Sequence, residues 1–117
     1  MSTILIVEDD LAYRKILTQK LETAGYTAIA AVNGKDALAK LKNARVDLIL
    51  LDLLMPTMDG SEFVYHLRQE LKLETPIVVL TNLSQTALPA GIKEFLVKSN
   101  TNINQVIDAV KRHTALP

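Results

Sequence analysis

A chain of 117 residues, 49% of them hydrophobic and 22% charged, has room for one globular domain and too much apolar content for a disordered tail. Thirteen basic and thirteen acidic residues cancel, so no overall positive field draws the chain to nucleic acid or to an anionic membrane surface. Cysteine is absent, which removes disulfides, thiolate nucleophiles and Cys-ligated metal centres.

No apolar run approaches the ~18 residues of a membrane span. The opening Met1-Ser2-Thr3-Ile4-Leu5-Ile6-Val7-Glu8 lacks the basic segment of a secretory signal, so the expected location is the cytoplasm. No repeat, linker or low-complexity stretch is visible, and any DNA-binding or catalytic output is expected on another polypeptide.

Ile4 to Val7 is short, β-branched and unalternating, the pattern of a strand buried on both faces. Leu11, Ile16, Leu17, Leu21 and Ala24 then recur on one helical face, predicting a helix over residues 11–24 with Gly25 as its left-handed stop. Tyr26 to Val32 reads as a second strand. Asn33 caps a helix over 34–43 that turns Ala37, Leu38 and Leu41 inward. Val46 to Leu51 is the most apolar segment and the expected central strand. Met55 to Gly60 is a loop, and Ser61 opens a helix through residue 70 that buries Phe63, Val64 and Leu67.

Pro76 to Leu80 is a fourth strand and Lys93 to Val97 a fifth. Asn102 caps a last helix with Ile103, Val106, Ile107 and Val110 on one stripe. Strands and helices alternate, which predicts an α/β fold: an open, doubly wound, five-stranded parallel sheet. Residues 82–92, interrupted by Pro89, leave little room for the fourth crossover, so its helix is expected to be short or absent.

Open parallel sheets bind ligands beyond the carboxyl ends of their strands. Glu8, Asp9 and Asp10 follow the first strand, Asp52 the third, Thr81 the fourth and Lys98 the fifth. Alone, each has an ordinary structural reading: a solvated turn, a helix cap, a surface charge. Their joint placement points to one site. Its oxygens suit a hard cation, Mg²⁺, ligated directly by Asp10 and Asp52 and through water by Asp9. Asp52 then serves as nucleophile toward a phosphoryl group, Thr81 as hydroxyl donor and Lys98 as neutralising charge. Glu8 is left facing either this site or solvent.

No G-x-x-x-x-G-K-[ST] loop and no G-x-G-x-x-G follows a strand, which excludes the common nucleotide cradles. His66 and His113 lack acid-base companions in the sequence. Tyr13, Tyr26 and Tyr65 are not interleaved with a basic patch, so base stacking has no support. Met55 and Met58 read as packing residues.

Val7-Glu8-Asp9-Asp10, Leu51-Asp52-Leu53-Leu54-Met55-Pro56-Thr57-Met58-Asp59-Gly60, Leu80-Thr81 and Ala90-Gly91-Ile92-Lys93-Glu94-Phe95-Leu96-Val97-Lys98, in this order, resemble the receiver domain of bacterial two-component response regulators. The likeness runs from Ile4 to about Val110 and implies a single receiver domain over 1–117, flavodoxin-like, with strand order 2-1-3-4-5. In receivers the aspartate matching Asp52 takes a phosphoryl group from the phosphohistidine of a histidine kinase or phosphotransfer protein. The acids matching Asp9 and Asp10 hold Mg²⁺ together with Asp52 and the backbone carbonyl of Leu54. Thr81 and Lys98 match the residues that contact the phosphoryl oxygens, and Phe95 matches an aromatic switch coupled to that threonine.

The resemblance thus implies a signalling protein that acts through phosphorylation-controlled binding of a downstream protein. The expected protein is a monomer or weak dimer, without direct nucleic-acid binding or membrane insertion. It is expected to be no enzyme beyond promoting its own phosphorylation and dephosphorylation. A phosphorylation-independent binding module and a small metal-dependent phosphatase are the alternatives.

Two departures from the receiver pattern stand out. The fourth crossover is too short for the full helix receivers carry there, which predicts altered partner selection through apolar surface beside strands four and five. Ser99 follows Lys98 where receivers usually carry proline after a cis bond, leaving open whether the Lys98–Ser99 bond is cis or trans. Asn82 stands where many receivers use a small residue, narrowing access to the pocket. Leu54 and Leu83 cannot orient an attacking water, so a long-lived phosphoryl state is expected.

Overall fold

The computed structural model describes residues 2–55, 58–82 and 91–114. Five strands, β1 (Thr3–Val7), β2 (Thr27–Ala31), β3 (Leu48–Leu51), β4 (Ile77–Thr81) and β5 (Ile92–Val97), form one parallel sheet in the order β2-β1-β3-β4-β5. The described helices are α1 (Leu11–Thr23), α2 (Gly34–Leu41), α3 (Gly60–Tyr65) and α4 (Ile103–His113). The architecture is the expected one. The reading of the fourth crossover, Leu83 included, falls on residues 83–90, which lie outside the described residues.

Side-chain alternation along the strands divides the core in two. Leu5, Val7, Ile49, Leu51, Ile77 and Val79 pack on one face against Ala37 and Leu41 of α2 and Phe63 and Val64 of α3. Ile4, Ile6, Leu48, Leu50, Val78 and Leu80 pack on the other against Leu17 and Leu21 of α1 and Val106, Ile107 and Val110 of α4. β1 and β3 contact helices on both sides, which is why their sequences are apolar without alternation. Each fully buried Leu or Ile contributes about 1.5–3 kcal/mol.

Helix starts follow side-chain chemistry. Asn33 Oδ1 accepts the Asp36 N–H at 2.8 Å, and Asn102 forms a reciprocal capping box with Gln105. Gly25, at φ +98°, ends the α1 segment in the left-handed region that favours glycine.

Most element ends lie one or two residues from the sequence reading, and three differences bear on how the elements are held. β3 begins at Leu48 rather than Val46, because Asp47 Oδ2 takes the Thr3 N–H at 2.8 Å and replaces a ladder bond. Asp59 caps α3 by accepting the Glu62 N–H at 2.9 Å, so α3 begins at Gly60. Beyond Tyr65 the helix widens into a π-type turn over His66–Glu70, closed by Leu71 N–H to the His66 carbonyl at 3.1 Å.

Candidate functional site

The ladder continues past the strands on backbone bonds alone. Glu8 N–H donates to the Ala31 carbonyl and Asp52 N–H to the Val7 carbonyl, both at 3.1 Å, so both acids leave the sheet from fixed backbone. On β5 one extra residue, Lys93, sits between the partners of Ile77 and Val78, a bulge that places Glu94, Leu96 and Lys98 in one parity.

Glu8, Asp52 and Lys98 meet beyond the carboxyl edge. Lys98 Nζ donates to Glu8 Oε1 and, at 3.1 Å, to Asp52 Oδ2. The second Glu8 oxygen accepts the Asp10 N–H at 3.1 Å, and the second Asp52 oxygen accepts the Leu54 N–H at 3.0 Å. Glu8 is 2% exposed and Asp52 7%, whereas Asp9 stands in solvent beside them. A cavity of about 500 Å³ opens over these groups, with Leu54 and Asn82 at its sides. A somewhat larger depression, about 600 Å³, lies beside Leu41, Arg45 and Thr75; no carboxylate lines it.

Burial alone would press the Lys98 ammonium below the ordinary lysine range. The hydrogen bond it donates to Glu8 and the charge of Asp52 outweigh it and carry its pKa upward. Burial pushes the Glu8 carboxyl up. The lysine is thus firmly cationic, yet it is one charge among three acids. Oxygens of Glu8, Asp9 and Asp52 lie within 4.8 Å of one another, a donor set that fits a hard divalent cation.

The geometry shifts the expected acid set by one residue. Asp10 Oδ1 accepts the Tyr13 N–H at 3.1 Å and caps α1, so its carboxylate serves the helix although it borders the cavity. It is not part of the clustered trio. Glu8, which the sequence left between site and solvent, takes that place because its parity follows Ile4 and Ile6 toward the α1–α4 face.

Thr81 is fully buried at the last position of β4, level with Val97, and does not line the cavity. Phe95 is half-buried, pairs with Val79 and packs on the α2–α3 face of the core. No described peptide bond is cis, so Lys98–Ser99 is trans.

Tyr13 was invisible as a site residue. Its ring lies under the Lys98 ammonium at 4.7 Å from the centroid, and its hydroxyl is buried with no hydrogen-bond partner among the described residues. Burial pushes the phenol's pKa up. The available signal was spacing: position 13 lies one turn beyond the Asp10 cap.

Residues 4–111 match the response regulator receiver domain family. The chain belongs to that family. It is 40% identical over 100 residues to the transcriptional regulatory protein ResD of Bacillus subtilis, covering 81% of this chain and 41% of ResD. With PhoP of the same organism, the alkaline phosphatase synthesis transcriptional regulatory protein, it shares 33% identity over 97% of this chain and 50% of PhoP. The chain therefore spans about half, or less, of these curated relatives.

Among solved structures, Vibrio cholerae chemotaxis protein CheY4 superimposes with a TM-score of 0.85 at 33% identity, over 97% of this chain and 98% of CheY4. The Thermotoga maritima response regulator TrrA, solved in complex with Mg(2+)-BeF, gives 0.82 at 32%, over 96% and 98%. Receiver domains are signalling modules, and this receiver domain has the CheY-like, flavodoxin-like sheet and an acidic site at its carboxyl edge. No described helix is long and apolar enough to cross a membrane.

Proposed function

We propose that Asp52 accepts a phosphoryl group from the phosphohistidine of a histidine kinase or phosphotransfer protein, and that the modified protein signals by binding a downstream protein. The observation that carries this reading is the setting of Asp52. One oxygen is held by the Leu54 N–H and the other faces Lys98, at the foot of an open cavity shared with Glu8 and Asp9. In the transfer an Asp52 oxygen attacks phosphorus, the P–N bond breaks, and the imidazole leaves and picks up a proton. The product is an acyl phosphate.

Charge develops on the equatorial oxygens during such a step. The Lys98 ammonium supplies a fixed counter-charge to them. Glu8, Asp9, Asp52 and the Leu54 carbonyl are the groups that would hold Mg²⁺, with Asp10 confined to capping α1. Bound there, the ion would neutralise the acids and offset the incoming phosphoryl charge. TrrA's complex with Mg(2+)-BeF supports Mg²⁺ as the ion. Thr81 would reach the phosphoryl group by leaving its buried position, with Phe95 repacking on the same face of the sheet. Leu54, exposed at the cavity mouth, offers no group to orient water, so a long-lived phosphoryl state belongs to the same reading. So does a cytoplasmic location, where family donors act.

Treatment with phosphoramidate and Mg²⁺ should add one base-labile phosphoryl group to the wild-type protein, read by intact mass, and none to D52N, whose fold is retained. Equal labelling of D52N would remove Asp52 from this role.

A further inference from the structure

β4 and β5 end level with each other: Thr81 pairs with Val97, and Asn82 and Lys98 are the first residues beyond the ladder. Backbone groups past a ladder's end normally turn to water. Here a side chain extends the pairing instead. Asn82 Oδ1 accepts the Ser99 N–H at 3.0 Å, across seventeen positions of sequence. Lys98 therefore lies between two anchors, Val97 in the sheet and Ser99 on Asn82. Its carbonyl also accepts the Thr101 N–H at 3.3 Å, and Thr101 Oγ1 donates to the Val97 carbonyl at 2.7 Å.

The lysine stem is long and rotatable, so the aim of its ammonium depends on where the backbone beneath it is held. Asn82 is also a wall of the cavity over Asp52. One residue thus touches the site's opening and fixes the turn from which its only described ammonium departs.

We propose that Asn82 is a positioning residue that acts through the Ser99 N–H to hold Lys98 over Asp52, so that residues 82 and 99 work as one clip between β4 and β5. Proline at 99 has no N–H and could not be held this way. The inference rests on the reading of Asp52 as acceptor and Lys98 as its counter-charge.

The test is a cycle of N82A and S99P. In the wild-type background N82A should slow Mg²⁺-dependent labelling by phosphoramidate about 3- to 10-fold, the range of one net hydrogen bond. In the S99P background, where the bond is already gone, N82A should change the rate by less than about twofold. Equal slowing in both backgrounds, or none in the first, overturns the proposal.

Amide hydrogen exchange supplies a readout that does not depend on S99P folding. The Ser99 amide should exchange about tenfold faster in N82A, while β1 amides stay unchanged and N82D, which keeps an acceptor oxygen, retains protection. Unaltered Ser99 exchange in N82A overturns the clip. A wild-type protein that takes no label would sink the reading of Asp52 itself. That failure is separable, because Ser99 exchange and the Lys98 Nζ resonance report on the clip without a phosphodonor.

Discussion

Lys98 and Glu94 lie four residues apart on the β5 segment, and each is the hub of an ionic cluster. Glu94 is one acid between two bases: Arg112 Nε approaches one carboxylate oxygen at 3.3 Å and His113 Nε2 the same oxygen at 2.8 Å. Its partners reach water, Arg112 being 53% exposed at its side chain. Lys98 is the reverse, one base among three acids, two of them almost wholly buried. The first cluster is complete and sits where solvent screens it, so it pins α4 to the sheet. The second keeps surplus negative charge in a poorly hydrated place, which folding alone would disfavour. The incomplete cluster fits the Mg²⁺ site proposed above; the complete one needs no visitor.

The sharpest way to break this contrast is to remove the hub lysine. K98M should slow phosphoramidate labelling about 100-fold, in line with loss of a single transition-state donor. It should also destabilise the fold by about 1–3 kcal/mol, because Glu8 and Asp52 lose their shared counter-charge and are left facing each other. Urea melts would measure this, and added Mg²⁺ should restore more stability to K98M than to the wild type. A smaller effect is expected at the exposed edge of the trio. D9N should weaken Mg²⁺ about tenfold, read as a higher Mg²⁺ concentration for the same rise in Tm, while leaving the metal-free protein nearly as stable.

Smallest of all should be E94Q. Exposed ion pairs contribute about 0.2–1 kcal/mol, and labelling should not change. The pH dependence separates the clusters further. The Arg112 hydrogen bond holds the Glu94 carboxyl below the ordinary 4.5, so its stabilisation is present above that value and lost as pH falls through the depressed pKa. Lys98 is shifted up from 10.5, so its contribution is full below that value and lost as pH rises through the elevated pKa. Stability profiles of E94Q and K98M should therefore flatten on opposite limbs, acid for the first and alkaline for the second.

The sheet was legible because burial on two faces leaves unbroken apolar runs, and Asp9, Asp52 and Lys98 were legible because strand ends gather at one edge. The choice among Glu8, Asp9 and Asp10 was not. Three consecutive acids carry no punctuation, and only the parity of Ile4 and Ile6 and the need of α1 for a cap assign them. Tyr13 escaped because an aromatic on a helix ordinarily signals packing, and its ammonium neighbour arrives from the opposite end of the sequence. The Asn82–Ser99 bond escaped for the same reason, since neither residue predicts the other locally. The π-type turn after Tyr65 leaves no mark in periodicity over so short a helix.

Gly60 has a bearing on how the loop beyond Asp52 can evolve. A Cβ there would stand 2.3 Å from Leu53 Cδ2 and 2.8 Å from Leu53 Cα, and the Gly60 N–H donates to the Leu53 carbonyl at 3.1 Å. The first turn of α3 is therefore seated flush against the residue that follows the aspartate, bracing it from behind. Any larger side chain would press the start of α3 away from Leu53. The position behind the aspartate therefore admits glycine alone.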